Sequence, residues 1–351
     1  MRTLVISDLH LGANGRPDVL RRELDRAALV ARLPEFDRLV LLGDTLELRH
    51  GPVRDALAAG ATVLNELAAA LGAGREVVIV PGNHDHALLR GWLERRDAGS
   101  PLGLESEVEW DEREPLGALV KSLAPTRVRV AYPGVWLRED VYATHGHYGD
   151  RHNTVPILER LGAGVTVRVA GEPEGGPAHA EDYEAALAPM YAWADSVAQS
   201  GGLHVGGGGS FQIAAWQALN GGAGRQRLRS RAMALGLAAA VAGLNRAGVG
   251  PLRADVSGVA LRRGALAGFA EVADRLGIPP AAHVIFGHTH RAGPLPGDDR
   301  GEWGRLLNIG SWVYEERFVG DDPAGSPYRP GFAAIVPDDD PPELVNLLDR
   351  A

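Results

Sequence analysis

Thr3-Leu4-Val5-Ile6-Ser7-Asp8-Leu9-His10 is an apolar run followed at once by an aspartate and, two residues later, a histidine. Thr3 to Ser7 reads as a buried strand, short and continuously apolar. Asp8 and His10 leave its carboxyl end. In extended backbone, residues two apart project to one side, so both side chains are expected to reach one metal ion. The same grammar recurs outward from this stretch. Arg38 to Leu42 is a second apolar run, ended by Gly43-Asp44. Glu76 to Val80 is a third, ended by Gly82-Asn83-His84-Asp85. Val141 to Thr144 leads into His145-Gly146-His147, and His283 to Phe286 into Gly287-His288-Thr289-His290.

Helical spacing fills the intervals over Val19 to Leu33, Val53 to Leu71 and His86 to Arg96. Strands alternating with helices predict an α/β fold with parallel pairing. Asp97 to Pro125 is acidic and without a period. Val128 to Tyr132, Val135 to Leu137 and Val141 to Thr144 predict a meander, with Pro133-Gly134 as the turn between the first two. The chain divides into three segments. Residues 1–148 form the first part of a core, and 149–282 a mainly helical insertion. Residues 283–351 form the second part of the core. The insertion alternates Gly- and Pro-rich breaks with helical stretches at Ala180 to Gln199, Phe211 to Leu219, Arg225 to Leu244 and Leu261 to Leu276. Because it separates His145 from His288, it is expected to cap the site where they meet. Arg305 to Ile309, Phe332 to Val336 and Leu344 to Leu348 are expected to complete a second sheet.

The 351 residues carry a net charge of -9, which argues against a broad nucleic-acid footprint. With no cysteine, disulfides and thiolate metal sites are excluded, so any metal is held by nitrogen and oxygen. The apolar run before Asp8 is too short for an export signal, which makes the cytoplasm the expected location. The longest apolar stretch, Met233 to Leu244, falls short of the roughly 20 residues that span a bilayer. It reads as core of the insertion. With the alternating Arg225, Arg227, Arg229 and Arg231 it is also the candidate for a peripheral membrane contact.

α/β sheets place ligands at the carboxyl ends of their strands. The strand-end residues divide over two divalent ions. Asp8, His10 and His290 hold one, and Asn83, His145 and His288 the other. Asp44, whose carboxylate has two oxygens, bridges them. This mixed set suits Mn²⁺ first, with Fe or Zn²⁺ as alternatives. Such a pair clamps the attacking and leaving oxygens of a phosphoryl displacement and makes hydroxide available near neutral pH. His84 follows a ligand without itself being assigned to a metal. It is the candidate to protonate the leaving oxygen, with Asp85 orienting its ring. Arg49, His147 and Arg151 are candidates for substrate contact. His86 is expected at the surface where a helix starts. His50, His152, His179 and His204 read as structural or solvated, His283 as structural, and Gly206 to Gly209 as a loop.

These motifs resemble those of the calcineurin-like metallophosphoesterase superfamily. The resemblance covers residues 1–148 and 283–351. It implies a four-layer α/β/β/α sandwich, the ligand set above and a catalytic His84. Ser7-Asp8-Leu9-His10-Leu11-Gly12 and Gly43-Asp44-Thr45-Leu46-Glu47-Leu48 are similar to the bacterial UDP-diacylglucosamine pyrophosphohydrolases. Those enzymes usually have arginine where His84 stands, and a shorter insertion. The arginine-containing continuation that marks protein serine/threonine phosphatases is missing after Gly43-Asp44. The expected function is hydrolysis of a phosphate ester or pyrophosphate bond by hydroxide attack at a dinuclear metal site. The substrate is a phosphorylated small molecule or sugar nucleotide. The alternatives are a UDP-sugar lipid pyrophosphohydrolase at a membrane surface and a non-catalytic metal-binding scaffold.

Overall fold

The apolar runs that end in ligand-type residues form neighbouring strands of a single sheet. β1 (Thr3–Ile6), β2 (Arg38–Leu42) and β3 (Glu76–Val80) are parallel, with Val5, Val40 and Val78 on one rung. Every residue of β1 and β2 is buried, which is why these runs are apolar on both faces rather than alternating. The computed structural model describes all residues except 97–100, 155–157, 200–238, 254–257, 296–303, 321 and 350–351.

Among the described residues, the sheet has ten strands. Its order is β10-β9-β1-β2-β3-β5-β6-β7-β8, with β4 paired to β5. Here β4 is Glu105–Glu107, β5 Arg127–Arg138, β6 Val141–Thr144, β7 His283–Phe286, β8 Leu306–Asn308, β9 Phe332–Val336 and β10 Glu343–Asn346. Two expectations are corrected. The turn read at Pro133-Gly134 is absent, and β5 runs through both residues. Its first part pairs in parallel with β3 and its second part antiparallel with β6. Pro133, which has no N–H to donate, and Gly134 mark the place where the strand changes partners. A Cβ on Gly134 would collide with the Tyr142 hydroxyl. The second correction concerns the C-terminal strands. β8 pairs with β7, but β9 lies antiparallel on β1, with Thr3 opposite Val336, and β10 lies on β9. They close an edge that β1, fully buried, could not leave open.

A single cluster of buried side chains unites the two halves of this sheet. Val5, Val40 and Val78 from one half pack with Val141, Ala143 and Ile285 from the other. Helix α2 (Val53–Leu71) buries Ala56, Gly60, Val63, Leu64, Leu67, Ala68 and Leu71 at helical spacing. It packs with α1 (Glu23–Arg32) and with α4 (Pro115–Lys121), which follows the short α3 (Arg90–Arg95) in the chain. A Cβ on Gly60 would lie 3.1 Å from Leu46 and 3.4 Å from Leu11. This close approach seats α2 directly against the loops that follow β1 and β2.

The chain divides into two compact units. The first comprises residues 1–147, 194–202 and 279–351, the second 148–193 and 203–278. The second contains the helices Leu158–Ala170 and Gly258–Arg275 and most of Ala180–Gln199. Tyr148 and Tyr183 stack at 4.9 Å, and the Tyr148 hydroxyl donates to Glu184 at 2.7 Å. The stretches Gly201 to Gly209, Phe211 to Leu219 and Arg225 to Arg231 lie outside the described residues, as does the first half of Met233 to Leu244.

Candidate metal centre

Backbone hydrogen bonds join the loops after β1 and β2 side by side. The N–H of Asp8 donates to Gly43 O, that of His10 to Asp44 O, and that of Glu47 to Leu11 O. Asp85 anchors the loop after β3 to them. Its carboxylate accepts the backbone N–H groups of Gly82 (2.6 Å), Thr45 (2.8 Å), Asp44 (3.3 Å) and Leu46 (3.3 Å). The N–H of Gly287 donates to His145 O, bringing the loops after β6 and β7 together. Gly43 has φ +83°, and a Cβ there would collide with the His145 ring. A side chain at that position would push the β2 and β6 ends apart.

These loops converge the expected ligands. Asp8 Oδ1 lies 3.2 Å from His290 Nε2 and 3.8 Å from His10 Nε2, and the two imidazole nitrogens are 3.1 Å apart. Asp44 Oδ2 lies 3.6 Å from His10 Nε2 and 3.3 Å from His145 Nε2. Asn83 Oδ1 is 3.1 Å from His145 Nε2. The side chains fall into groups whose ligand atoms all lie within 4.8 Å: Asp8, His10 and His290; Asp44, His145 and His288; and His10, Asp44 and His84. Asp44 is common to two of them.

Asp8 and His10 were expected on extended backbone. Instead they have φ +56° and +45°, and Asp44, His288 and His290 are also left-handed at +50°, +67° and +56°. The side chains reach the centre because the backbone turns there. Non-glycine residues seldom adopt such a conformation, and strained backbone of this kind tends to cluster at functional sites.

The donors suit divalent cations. Asp8 Oδ1 is buried and accepts no hydrogen bond. His145 Nδ1 donates to Leu42 O at 3.0 Å, so its Nε2 lone pair faces the oxygens of Asn83 and Asp44. His10 Nδ1 contacts Glu47 Oε2 at 3.0 Å, which leaves its Nε2 for the centre in the same way. Lone pairs facing lone pairs call for a cation or a proton. The charges agree. Burial opposes protonation of His145, yet Asp44 and Asp8 push it up to about 9. Burial likewise opposes protonation of His10, and Asp8 and Glu47 prevail in raising it. Burial pushes Asp8 and Asp44 upward, but His145 and the other histidines hold both carboxylates below their usual range. A divalent ion would meet the same negative field.

His84 is half-buried at the rim. Its Nδ1 contacts Glu47 Oε2 at 2.8 Å, its N–H donates to Asp44 Oδ1 at 2.8 Å, and Arg49 Nη1 lies 3.4 Å from its Nε2. Burial lowers its pKa, Glu47 opposes this, and the Arg49 charge reinforces it. The expectation that Asp85 orients the ring is not met, because the Asp85 carboxylate is engaged by backbone N–H groups. Glu47, which sequence reasoning passed over, takes that place. Its signal was a carboxylate three residues after Asp44, inside an otherwise apolar segment.

Arg49 also donates to Asn83 O at 2.9 Å, beside the centre. His147 is buried, with its Nε2 3.2 Å from the Tyr132 hydroxyl and its ring 5.5 Å from that of His145. Arg151 belongs to the second unit, where it pairs with Glu172 at 2.5 Å. His86, expected at the surface, is buried with its ring 6.0 Å from that of Tyr132.

No curated protein matches the chain. Among solved structures, it is similar to the crystal structure of a cold-active protein-tyrosine phosphatase of a psychrophile, Shewanella sp.. The identity is 12% and the TM-score 0.30, over 96% of this chain and 75% of that one, too low a likeness to carry an argument. Residues 1–172, which hold Asp8, His10, Asp44, Asn83, His84 and His145, match the family model of the calcineurin-like phosphoesterase, which supports the resemblance of these residues to that superfamily.

Proposed function

We propose that the chain hydrolyses a phosphate ester or pyrophosphate bond at a centre of two divalent cations, with Mn²⁺ the first candidate. The observation that carries this reading is the sharing of one carboxylate. Asp44 Oδ2 stands 3.6 Å from His10 Nε2 and 3.3 Å from His145 Nε2, between the two groups of donors. Asp8, His10 and His290 would hold one cation, Asn83, His145 and His288 the other, and Asp44 both. Such ions supply positive charge to phosphoryl oxygens and acidify a water for attack.

The chain's own residues do the rest. Glu47 holds the His84 Nδ1–H, and Nε2 gives a proton to the departing oxygen when the ring is protonated at both nitrogens, a state that Glu47 favours and burial opposes. Arg49, beside His84, is placed to meet a phosphoryl oxygen. His147, sandwiched between Tyr132 and His145, steers the substrate or supports its neighbours. We read the two halves of the sheet as the inner layers of a four-layer α/β/β/α sandwich. We read residues 149–282 as the segment that selects the substrate.

The test is hydrolysis by Mn²⁺-loaded and chelator-stripped protein of nitrophenyl phosphate, its diester, nucleotides and nucleotide sugars. Metal-dependent turnover of at least one class is expected. Two bound ions with no turnover on any of them would favour the scaffold reading.

A further inference from the structure

The two histidines of Gly287-His288-Thr289-His290 belong to different donor groups, His288 with Asp44 and His145, and His290 with Asp8 and His10. Both have left-handed backbone, at φ +67° and +56°. The residue between them must therefore hold a turn that neither histidine favours. Among the described residues, Asn308 is its side-chain partner for this, with Nδ2 donating to the Thr289 Oγ1 at 2.6 Å.

Asn308 is buried at the end of β8. Its backbone exchanges hydrogen bonds with Gly293 in both directions, at 2.9 and 2.8 Å. Its Oδ1 accepts the N–H of Gly310 at 3.1 Å. The neighbouring Ile309 N–H donates to Phe286 O at the end of β7. One residue thus holds both Gly293, through its backbone, and Thr289, through its side chain. The other end is pinned by the His288 N–H on Asp8 Oδ2 at 2.9 Å, and a Cβ on Gly287 would collide with Ser7 and Asp8.

We propose that Asn308, acting through Thr289, is a positioning residue that sets the spacing of His288 and His290 and so the affinity for both cations at once. This rests on the two-cation reading. Residues that orient metal ligands typically change affinity 10- to 100-fold when removed. The Thr289 hydroxyl is the more informative target, because Asn308 also supports β8.

Mn²⁺ binding to the full chain is measured by titration calorimetry and by metal content after dialysis, in wild type, Thr289→Val, Thr289→Ser, Asn308→Ala and the Thr289→Val/Asn308→Ala pair. Thermal melting of each metal-free protein is recorded alongside. Thr289→Val is expected to weaken binding of both ions by about 10- to 100-fold with the metal-free melting curve little changed. Thr289→Ser, which keeps the acceptor, is expected to bind as wild type does. The double variant should lose no more than the worse single one, since both cut the same contact. Two ions bound by Thr289→Val as tightly as by wild type would overturn the inference while leaving the two-cation reading intact. Additive losses, or equal losses in Thr289→Ser and Thr289→Val, would also overturn it. A wild-type protein that binds no Mn²⁺ would overturn the two-cation reading and this inference with it.

Discussion

Glu47 Oε2 serves two histidines, His10 at 3.0 Å and His84 at 2.8 Å. It thereby joins a candidate ligand to the candidate proton donor. Replacing His84 by alanine should lower turnover of an unactivated ester by about 10²- to 10⁴-fold, the range for a general acid or base. Both metals should stay bound, which metal analysis of the variant checks. The loss should shrink with a nitrophenolate leaving group. If a metal departs with the side chain, His84 is a ligand and the role given to it is wrong. At this scale the sequence was largely legible, for a physical reason. Asp8, His10, Asp44, Asn83, His145, His288 and His290 each follow an apolar run, so strand ends could be recognised without knowing the sheet order. Glu47 was passed over, because a carboxylate inside a buried segment carries no periodic signal and only its place three residues after Asp44 set it apart. Adjacency misled the reading of Asp85, since it lies beside His84 in the chain while its carboxylate is taken up by backbone N–H groups of its own loop and of the loop after β2.

Loops, rather than strands, decide the geometry at the level of elements. The Asp85 carboxylate collects four backbone N–H groups from two loops. Asp85→Ala would leave these buried donors without an acceptor, at roughly 1–3 kcal/mol for an unsatisfied group. A clear drop in melting temperature is expected, together with weaker metal binding, and Asp85→Asn should recover part of both. An unchanged melting curve in Asp85→Ala would show that water replaces the carboxylate without cost.

A second element-scale expectation concerns pH. His152, at the start of the second unit, is pushed down to about 4 by burial and by the Arg151 charge, and its Nε2 lies 2.7 Å from the Tyr183 hydroxyl. Its folded value lies below the ordinary value of 6.5. The unfolded chain therefore takes up the proton first, and stability falls as pH drops from about 6.5 toward 4. Thermal melting from pH 7 to 5 should show this slope, and His152→Gln should flatten it. Equal slopes in the two proteins would rule out His152 as its source.

Whole strands and the long helix were readable from period and punctuation, α2 from Val53 to Leu71 among them. Between Asp97 and Pro125 the sequence showed no period, yet β4 and α4 are there. A three-residue strand is too short to repeat anything. α4, only seven residues long, begins at Pro115, a residue suited to a first helical turn. Pro133-Gly134 was read as a turn because these residues usually break strands, but here they mark a change of partner within one strand.

For the molecule as a whole, the sequence announced that two kinds of chain are interleaved, since the strand-helix rhythm stops near Gly149 and resumes at His283. It could not announce that residues 194–202 group with the first unit. That grouping rests on contacts such as Arg90 with Asp195 and Gln199 with Gly51, which join positions remote in the chain. Nor could it place β9 and β10 beside β1, because their pattern fits either half of the sheet. No helix among the described residues is long and apolar enough to cross a membrane. The central claim is that strand ends gathered from both parts of the chain hold two cations around Asp44. Anomalous diffraction from crystals of the Mn²⁺-loaded protein tests it most directly. Two peaks about 3.5–4 Å apart are expected, one against Asp8, His10, Asp44 and His290, the other against Asp44, Asn83, His145 and His288. A single peak that does not touch Asp44, or no peak among these residues in Mn²⁺-saturated crystals, would contradict the account.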